Sequence, residues 1–402
     1  MTAPRFWSAV AALLLLIGIL SVATRSARRL EARHIHGLAP QMFAQKNRGE
    51  ALQRAAFRQP DLLPLYGSSD LNAPSPYHAS ALFREYPTGF TVFPIGNAGS
   101  TSLIWLQAVA AVGCDLRGKK IAVSLPARSF MNETVDRHAY GANFSRLHAS
   151  ELAFSTCLGF AVKQAAARRM LQFPETVADD PLLRFALERL ADGSLSARLL
   201  YGASLPLGKL RNVILRLQDH WETLAFVRAQ RGLRPVPRHR VGLSWAAVLS
   251  RAEQAARRKA DSNPFGFDNA VWAAHAAELS APPSPNLVAA AFTSGERSAE
   301  WTDADLLLRA IRDLGGEPLI LSMPMNGTYY DSLGVPLAAR QAYYDRLRQL
   351  AAAHAVPVID FADHDADAYF TVDSGLHLSA KGWVYYAHAL DAFFHDRQPG
   401  TL

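Results

Sequence analysis

Residues 62–71 read Leu-Leu-Pro-Leu-Tyr-Gly-Ser-Ser-Asp-Leu. An apolar run stops at Gly67 and a pair of serines follows, which is the pattern of a short buried strand feeding a turn. Phe90–Ile95, closed by Gly96-Asn-Ala-Gly99, repeats it, and Lys120–Leu125, followed by Pro126-Ala-Arg-Ser129, gives it a third time. Between the second and third runs, Ser102–Val112 has helical periodicity. Strand, turn and helix in alternation predict an α/β fold, a parallel sheet sandwiched by helices.

Working outward, the strands vanish between about residues 150 and 260. Ser150–Leu171, Pro181–Ala191, Leu207–Arg231 and Ser244–Ala260 read as amphipathic helices rich in Ala, Leu and Arg, a helical insertion in the α/β domain. Pro282-Pro-Ser-Pro285 reads as a linker. The alternation then resumes, with a helix over Asp303–Leu314, a strand over Pro318–Met323, a helix over Leu337–Ala353 and a strand over Val356–Asp360. A helix over Gly382–Asp396 closes the chain.

Upstream, Phe6–Thr24 is nearly free of polar groups, and about 19 helical residues span a hydrocarbon core of roughly 30 Å. A cleaved signal peptide has a shorter apolar region before a small-residue site. The run therefore reads as a retained anchor over residues 1–24. A juxtamembrane stalk helix over 25–60 and an α/β domain over 61–402 follow. The stalk begins with Arg25, Arg28, Arg29 and Arg33, and these four arginines outnumber Arg5 on the other side of the span. The charge rule thus puts the body in the cytoplasm.

The 402 residues are half apolar, enough for a large core, and the net charge of +7 is modest. Its arginines are scattered over Ala-rich segments, not gathered in a patch interleaved with aromatics, so nothing points to nucleic acid. Cys114 and Cys157 lie in apolar surroundings and read as two buried thiols; their number leaves a disulfide open in an oxidising compartment.

In open α/β sheets, sites form beyond the carboxyl ends of strands. Ser69 follows the first strand, Gly99 the second, and Asp373-Ser-Gly-Leu-His377 lies on a loop before the last helix. These are the side chains that make a serine nucleophilic. A base takes the hydroxyl proton, and a carboxylate fixes the base's tautomer. The N–H groups of Ser69 and Gly99 are the candidate oxyanion donors, because a glycine lets backbone approach closely. Each piece alone also occurs in ordinary turns; the order and spacing make the set. Asp363-His-Asp365-Ala-Asp367 has metal-binding residue types, but without a loop glycine and a distal Glu it reads as an acidic turn. No cofactor or metal is expected.

This order resembles the SGNH/GDSL hydrolase superfamily. The neighbouring blocks narrow the resemblance to the DltD family, D-alanine transfer proteins. They are Gly67-Ser-Ser-Asp-Leu71, Pro76-Tyr-His78, Pro94-Ile-Gly-Asn-Ala-Gly-Ser-Thr-Ser-Leu103, Lys119-Lys120, Pro324-Met-Asn-Gly-Thr-Tyr-Tyr-Asp331 and His377-Leu-Ser-Ala-Lys-Gly-Trp383. The resemblance implies a catalytic Ser69, His377 and Asp373, with Ser69 and Gly99 as the oxyanion hole. It also implies an extracytoplasmic body, periplasmic in a Gram-negative cell, against the charge count. The activity implied is acyl transfer of D-alanyl groups to hydroxyls of an envelope polymer, in Gram-positive bacteria usually lipoteichoic acid. The implied partners are a membrane-bound acyltransferase, a D-alanyl carrier system and the membrane itself. A thioesterase or O-acyl esterase, or an accessory protein docking a carrier, are the alternatives. Three positions depart from the family pattern. Asp70 replaces a Glu, and Arg128 stands where the family has Gln. The carboxylate lies four residues before the histidine, and Ser374 occupies the family's acid position.

Overall fold

A computed structural model describes residues 3–72, 75–230, 233, 240–280, 297–400 and 402. The linker expected at 282–285 lies outside them. Five strands form one fully parallel sheet: β1 (Leu62–Gly67), β2 (Thr91–Gly96), β3 (Lys120–Ser124), β4 (Glu317–Leu321) and β5 (Val358–Ile359), in the order β2-β1-β3-β4-β5. β1 and β2 are buried along their whole length, which is why they read as continuous apolar runs and not as alternating ones. Pro94 is tolerated because β2 is an edge strand. From β1 the chain crosses outward to β2 and then returns to the other side of β1 as β3. The carboxyl ends of β1 and β3 therefore flank a switch point, where such sheets leave a crevice.

One face of the sheet carries the core of Tyr66, Trp105, Ile121, Ile320 and Tyr344, covered by the helices Ser102–Val112, Ala299–Asp313 and Leu337–Ala353. The other carries Leu65, Phe83, Leu321 and Trp383, covered by Ala79–Glu85, Trp245–Lys259 and Ala380–Phe394. Between β3 and β4 the described residues form helices and their connections, with no strand among them. The expected helix 150–171 is two, Arg146–Phe154 and Phe160–Met170, because Ser155 Oγ takes the N–H groups of Cys157 and Leu158 and turns the chain. The helix expected from Leu207 begins twelve residues earlier, at Leu195, capped by Ser194, and runs to Ala229 with Pro206 inside it.

Ala3–Leu38 is a single helix, and its stretch from Val10 is long and apolar enough to cross a membrane. Beyond the apolar part it docks on the body: Glu31 meets His220 at 2.6 Å and His36 meets Asp61 at 2.8 Å. Two short helices, Ala44–Arg48 and Ala51–Phe57, continue residues 25–60, with Leu38, Leu52 and Phe57 buried in the core.

The expectation of two buried thiols is overturned: Cys114 and Cys157 form a disulfide. Packing of Arg146–Phe154 along Ser102–Val112 brings the turns that follow them together, with the cysteine Cα atoms 5.8 Å apart, inside the range a bridge requires.

Candidate active site

Ser69 opens a single 3₁₀ turn immediately after β1, half-buried at the switch point. The turn is held from within, since Asp70 Oδ1 accepts the Ser68 N–H at 2.6 Å. Some three hundred residues later the chain reaches the same place on the loop before Ala380–Phe394. There His377 Nε2 lies 3.1 Å from Ser69 Oγ, and His377 Nδ1 lies 2.5 Å from Asp373 Oδ2. The structure thus brings Ser69 to the Asp373–His377 pair that lies some three hundred residues away in sequence.

The four-residue spacing between carboxylate and imidazole closes through the turn itself. Asp373 Oδ1 accepts the N–H groups of Gly375, Leu376 and His377 at 3.1, 2.7 and 3.1 Å, so the carboxylate caps the turn with one oxygen and holds the ring with the other. Gly375 enables this. Its φ is +103°, and a Cβ there would meet Met325 Cα and Pro324 O, each at 3.1 Å, on the loop after β4. Beyond the turn, Val372 N–H donates to His377 O at 2.9 Å, and Thr371 bridges Leu378 in antiparallel fashion.

Burial works against a charged imidazole at His377. The hydrogen bond and charge of Asp373, with the charge of Asp70 behind them, outweigh it and raise the ring's pKa above its ordinary value. Asp70 is itself buried, which pushes its carboxyl up. Ser124, close by but short of good hydrogen-bond geometry, and the Ser68 N–H offset part of that.

The second loop of the site follows β2. Gly99 takes φ +76°, and a Cβ on it would lie 2.9 Å from Ala139 Cβ. Among the described residues, neither the Ser69 nor the Gly99 N–H has a partner within the protein. One buried side chain clamps this loop. Asn143 Nδ2 donates to Ala98 O at 3.0 Å, while its Oδ1 accepts from Asn97 Nδ2 at 3.1 Å and Ser100 Oγ at 3.3 Å. Asn97 O in turn accepts from Ser68 Oγ at 3.3 Å, which ties the loop to the serine turn. Asn47 holds the end of β2, bonding both the N–H and the C=O of Gly96. A cavity of about 310 Å³ opens along this loop, lined by Asn47, Arg48, Asn72, Gly96, Asn97 and Ser100 among others.

Two other sequence features have other partners. Arg128 is exposed on the turn after β3, and its charge is felt at Tyr329 and Tyr330. In the acidic stretch 363–367, Asp365 is bonded to Arg340 and Tyr344, and Asp367 to Lys381 and His364. These pairs brace the loop that carries His377, and among the described residues no group of three or more His, Cys, Asp or Glu side chains could hold a metal ion. Asn143 carried no motif signal, and Asp70, though part of the serine block, was not singled out as a second carboxylate; Asn143 acts on a loop more than forty residues away, through contacts that exist only in the fold.

Comparison with known proteins places these features in a family. A family model described as DltD protein matches residues 39–395. Protein DltD of Bacillus subtilis (strain 168) is 30% identical over 359 residues, covering 89% of this chain and 87% of the relative. Protein DltD of Staphylococcus aureus (strain NCTC 8325 / PS 47) is 24% identical over 341 residues, covering 84% and 82%. Protein DltD of Lacticaseibacillus rhamnosus is 23% identical over 377 residues, covering 93% and 86%.

Proposed function

The chain belongs to the DltD family, and from that premise we propose that it is a membrane-anchored O-acyltransferase of a D-alanylation system, with Ser69 as its nucleophile. The observation that carries the reading is the unbroken relay from Ser69 Oγ through His377 to Asp373, at 3.1 and 2.5 Å. Neutral His377 takes the Ser69 proton at Nε2 as Oγ attacks the carbonyl carbon of an activated D-alanyl donor. The Ser69 and Gly99 N–H groups receive the oxyanion. The imidazolium is held by Asp373, and it returns its proton to the departing group as the C–O or C–S bond breaks. A polymer hydroxyl then repeats the sequence against the alanyl ester, giving its proton to His377 and releasing Ser69. Each transferred group adds an ammonium to the acceptor and weakens the negative field of the envelope.

Support for an extracytoplasmic body comes from the disulfide Cys114–Cys157, since such bonds persist in oxidising compartments. It opposes the arginine count beside the anchor, which concerns insertion and not redox poise. A reporter active only outside the cytoplasm, fused after Leu402, is expected to be on; a silent reporter with a working cytoplasmic counterpart would reverse the topology.

The same relay serves water as an acceptor, and the half-exposed serine favours this esterase reading as the second one. Purified full-length protein is incubated with an alanyl donor, with and without polymer, and with Ser69→Ala as control. Transfer that requires polymer and Ser69 supports the proposal; rapid alanine release indifferent to polymer makes the protein a hydrolase.

A further inference from the structure

The helix Leu195–Ala229 wears an apolar face on its outside. Leu199, Leu207, Leu210, Val213, Ile214 and Trp221 are 48–73% exposed. At 3.6 residues per turn they fall within an arc of about 120°, and every other residue of that arc between Leu199 and Trp221 is Ala, Pro or Leu. The residues that the helix buries against the body, Ala197, Tyr201, Gly208, Asn212, Asp219, His220, Thr223 and Val227, centre on roughly the opposite side, and four of these eight are Asn, Asp, His or Thr. This inverts the amphipathicity of an ordinary surface helix. The stripe is about 33 Å long from Leu199 to Trp221, more than scattered surface apolar residues account for.

We propose that this face rests in the interfacial layer of the bilayer that holds the N-terminal helix, a second attachment lying on the membrane and not crossing it. Continuity with the anchor argues for the bilayer as occupant. Buried Glu31 bonds His220, the neighbour of Trp221, and stands six residues, or about 9 Å of helix, beyond Arg25, where the apolar span gives way to arginines. One end of the stripe is thereby held close to the headgroups, and Trp221 is the residue type that settles at that depth. Composition argues the same way. Apart from that tryptophan the stripe is wholly aliphatic, whereas protein interfaces concentrate their binding energy in Trp, Tyr and Arg, with Leu under-represented. Exposed Lys209 borders the stripe on one flank, where its ammonium reaches lipid phosphate while its stem lies over the acyl layer.

The test uses full-length protein in nanodiscs of phosphatidylcholine and phosphatidylglycerol, with no other protein present. Both native cysteines are in the disulfide, so a single added cysteine labels uniquely. An environment-sensitive fluorophore is placed at Leu199→Cys, at Leu210→Cys, and at Gln349→Cys on the exposed side of Leu337–Ala353 as a control. The expected result is a blue shift at 199 and 210, with at least twofold quenching by lipid carrying a doxyl group high on its acyl chain, and neither at 349. Adding Leu199→Asp and Leu207→Asp to the labelled Leu210→Cys protein should remove the quenching while the anchor keeps the protein in the disc. A water-like spectrum at both stripe positions overturns the proposal. A blue shift without doxyl quenching also overturns it, because a second copy of the chain would then be the cover. Neither outcome bears on Ser69.

Discussion

Replacing Asp373 by Asn separates the two tasks of one carboxylate. The amide oxygen can still accept the N–H groups of Gly375, Leu376 and His377, so the turn keeps its shape. Where Oδ2 stood, 2.5 Å from His377 Nδ1, there is now an NH₂ group. A donor at that place forces the ring proton to Nε2, and Nε2 then cannot take the Ser69 proton. Loss of tautomer control of this kind lowers the rate of serine enzymes by about 10⁴-fold, equivalent to about 5 kcal/mol of transition-state stabilisation. Asp70 sits within electrostatic reach of the ring and still favours the imidazolium, so a loss of about 10³–10⁴-fold is expected. The assay is the rate of Ser69 acylation by an activated ester in a single turnover, with near-ultraviolet circular dichroism to show that the loop and core are intact. If Asp373→Asn keeps a third or more of the wild-type rate with an intact fold, the carboxylate only shapes the loop and the relay is a dyad.

Four other outcomes follow from the same geometry. Activity should need neutral His377, and since that ring's pKa lies above its ordinary 6.5, the acid limb of the rate profile should rise through a midpoint above 6.5 and move down in Asp373→Asn; a wild-type midpoint below 6.5 would contradict the geometry. Asn143→Ala removes the clamp on residues 97–100, and should lower kcat by about 10- to 100-fold with little change in KM, about 1.4–2.7 kcal/mol; an unchanged kcat would leave the loop self-supporting. Gly99→Ala meets both a left-handed backbone and Ala139 at 2.9 Å, and should fall in acylation rate more than Asn143→Ala; a rate equal to wild type would show that the loop tolerates the change. Reducing Cys114–Cys157, with a separation of 43 residues, should lower the stability to unfolding by up to about 4 kcal/mol. Denaturant titration with and without reductant measures that, and free thiols on protein taken from cells without reductant would contradict the bridge.

The first two strands were legible because they are buried along their whole length and end in glycine turns: Leu62–Tyr66 and Phe90–Ile95 lie within a residue or so of β1 and β2. The long helix was misjudged at its start because Pro206 reads as a break, yet the helix runs through it. Ser69 and His377 could be singled out as strand-end and loop residues, since strand ends converge at a switch point. The spacing to Asp373 looked one residue too long, because sequence reading assumes a plain turn. The three N–H bonds to Oδ1 that tighten this one depend on side-chain geometry. Asn143 and the cysteine pairing were out of reach for a common reason. Each depends on tertiary contact between segments distant in sequence: Asn143 reaches the loop 97–100, and 43 residues separate the two cysteines. Apolar neighbours look the same around a buried thiol and around a buried bridge.

The central claim is that the alanyl group passes through Ser69. Intact-mass and peptide mass spectrometry of full-length protein, acid-quenched during turnover with an alanyl donor, tests it most directly. The account requires one alanyl ester on the peptide containing Ser69, absent from Ser69→Ala and discharged when polymer is added. Unmodified Ser69 throughout turnover, with Ser69→Ala transferring alanine at the wild-type rate, would contradict it.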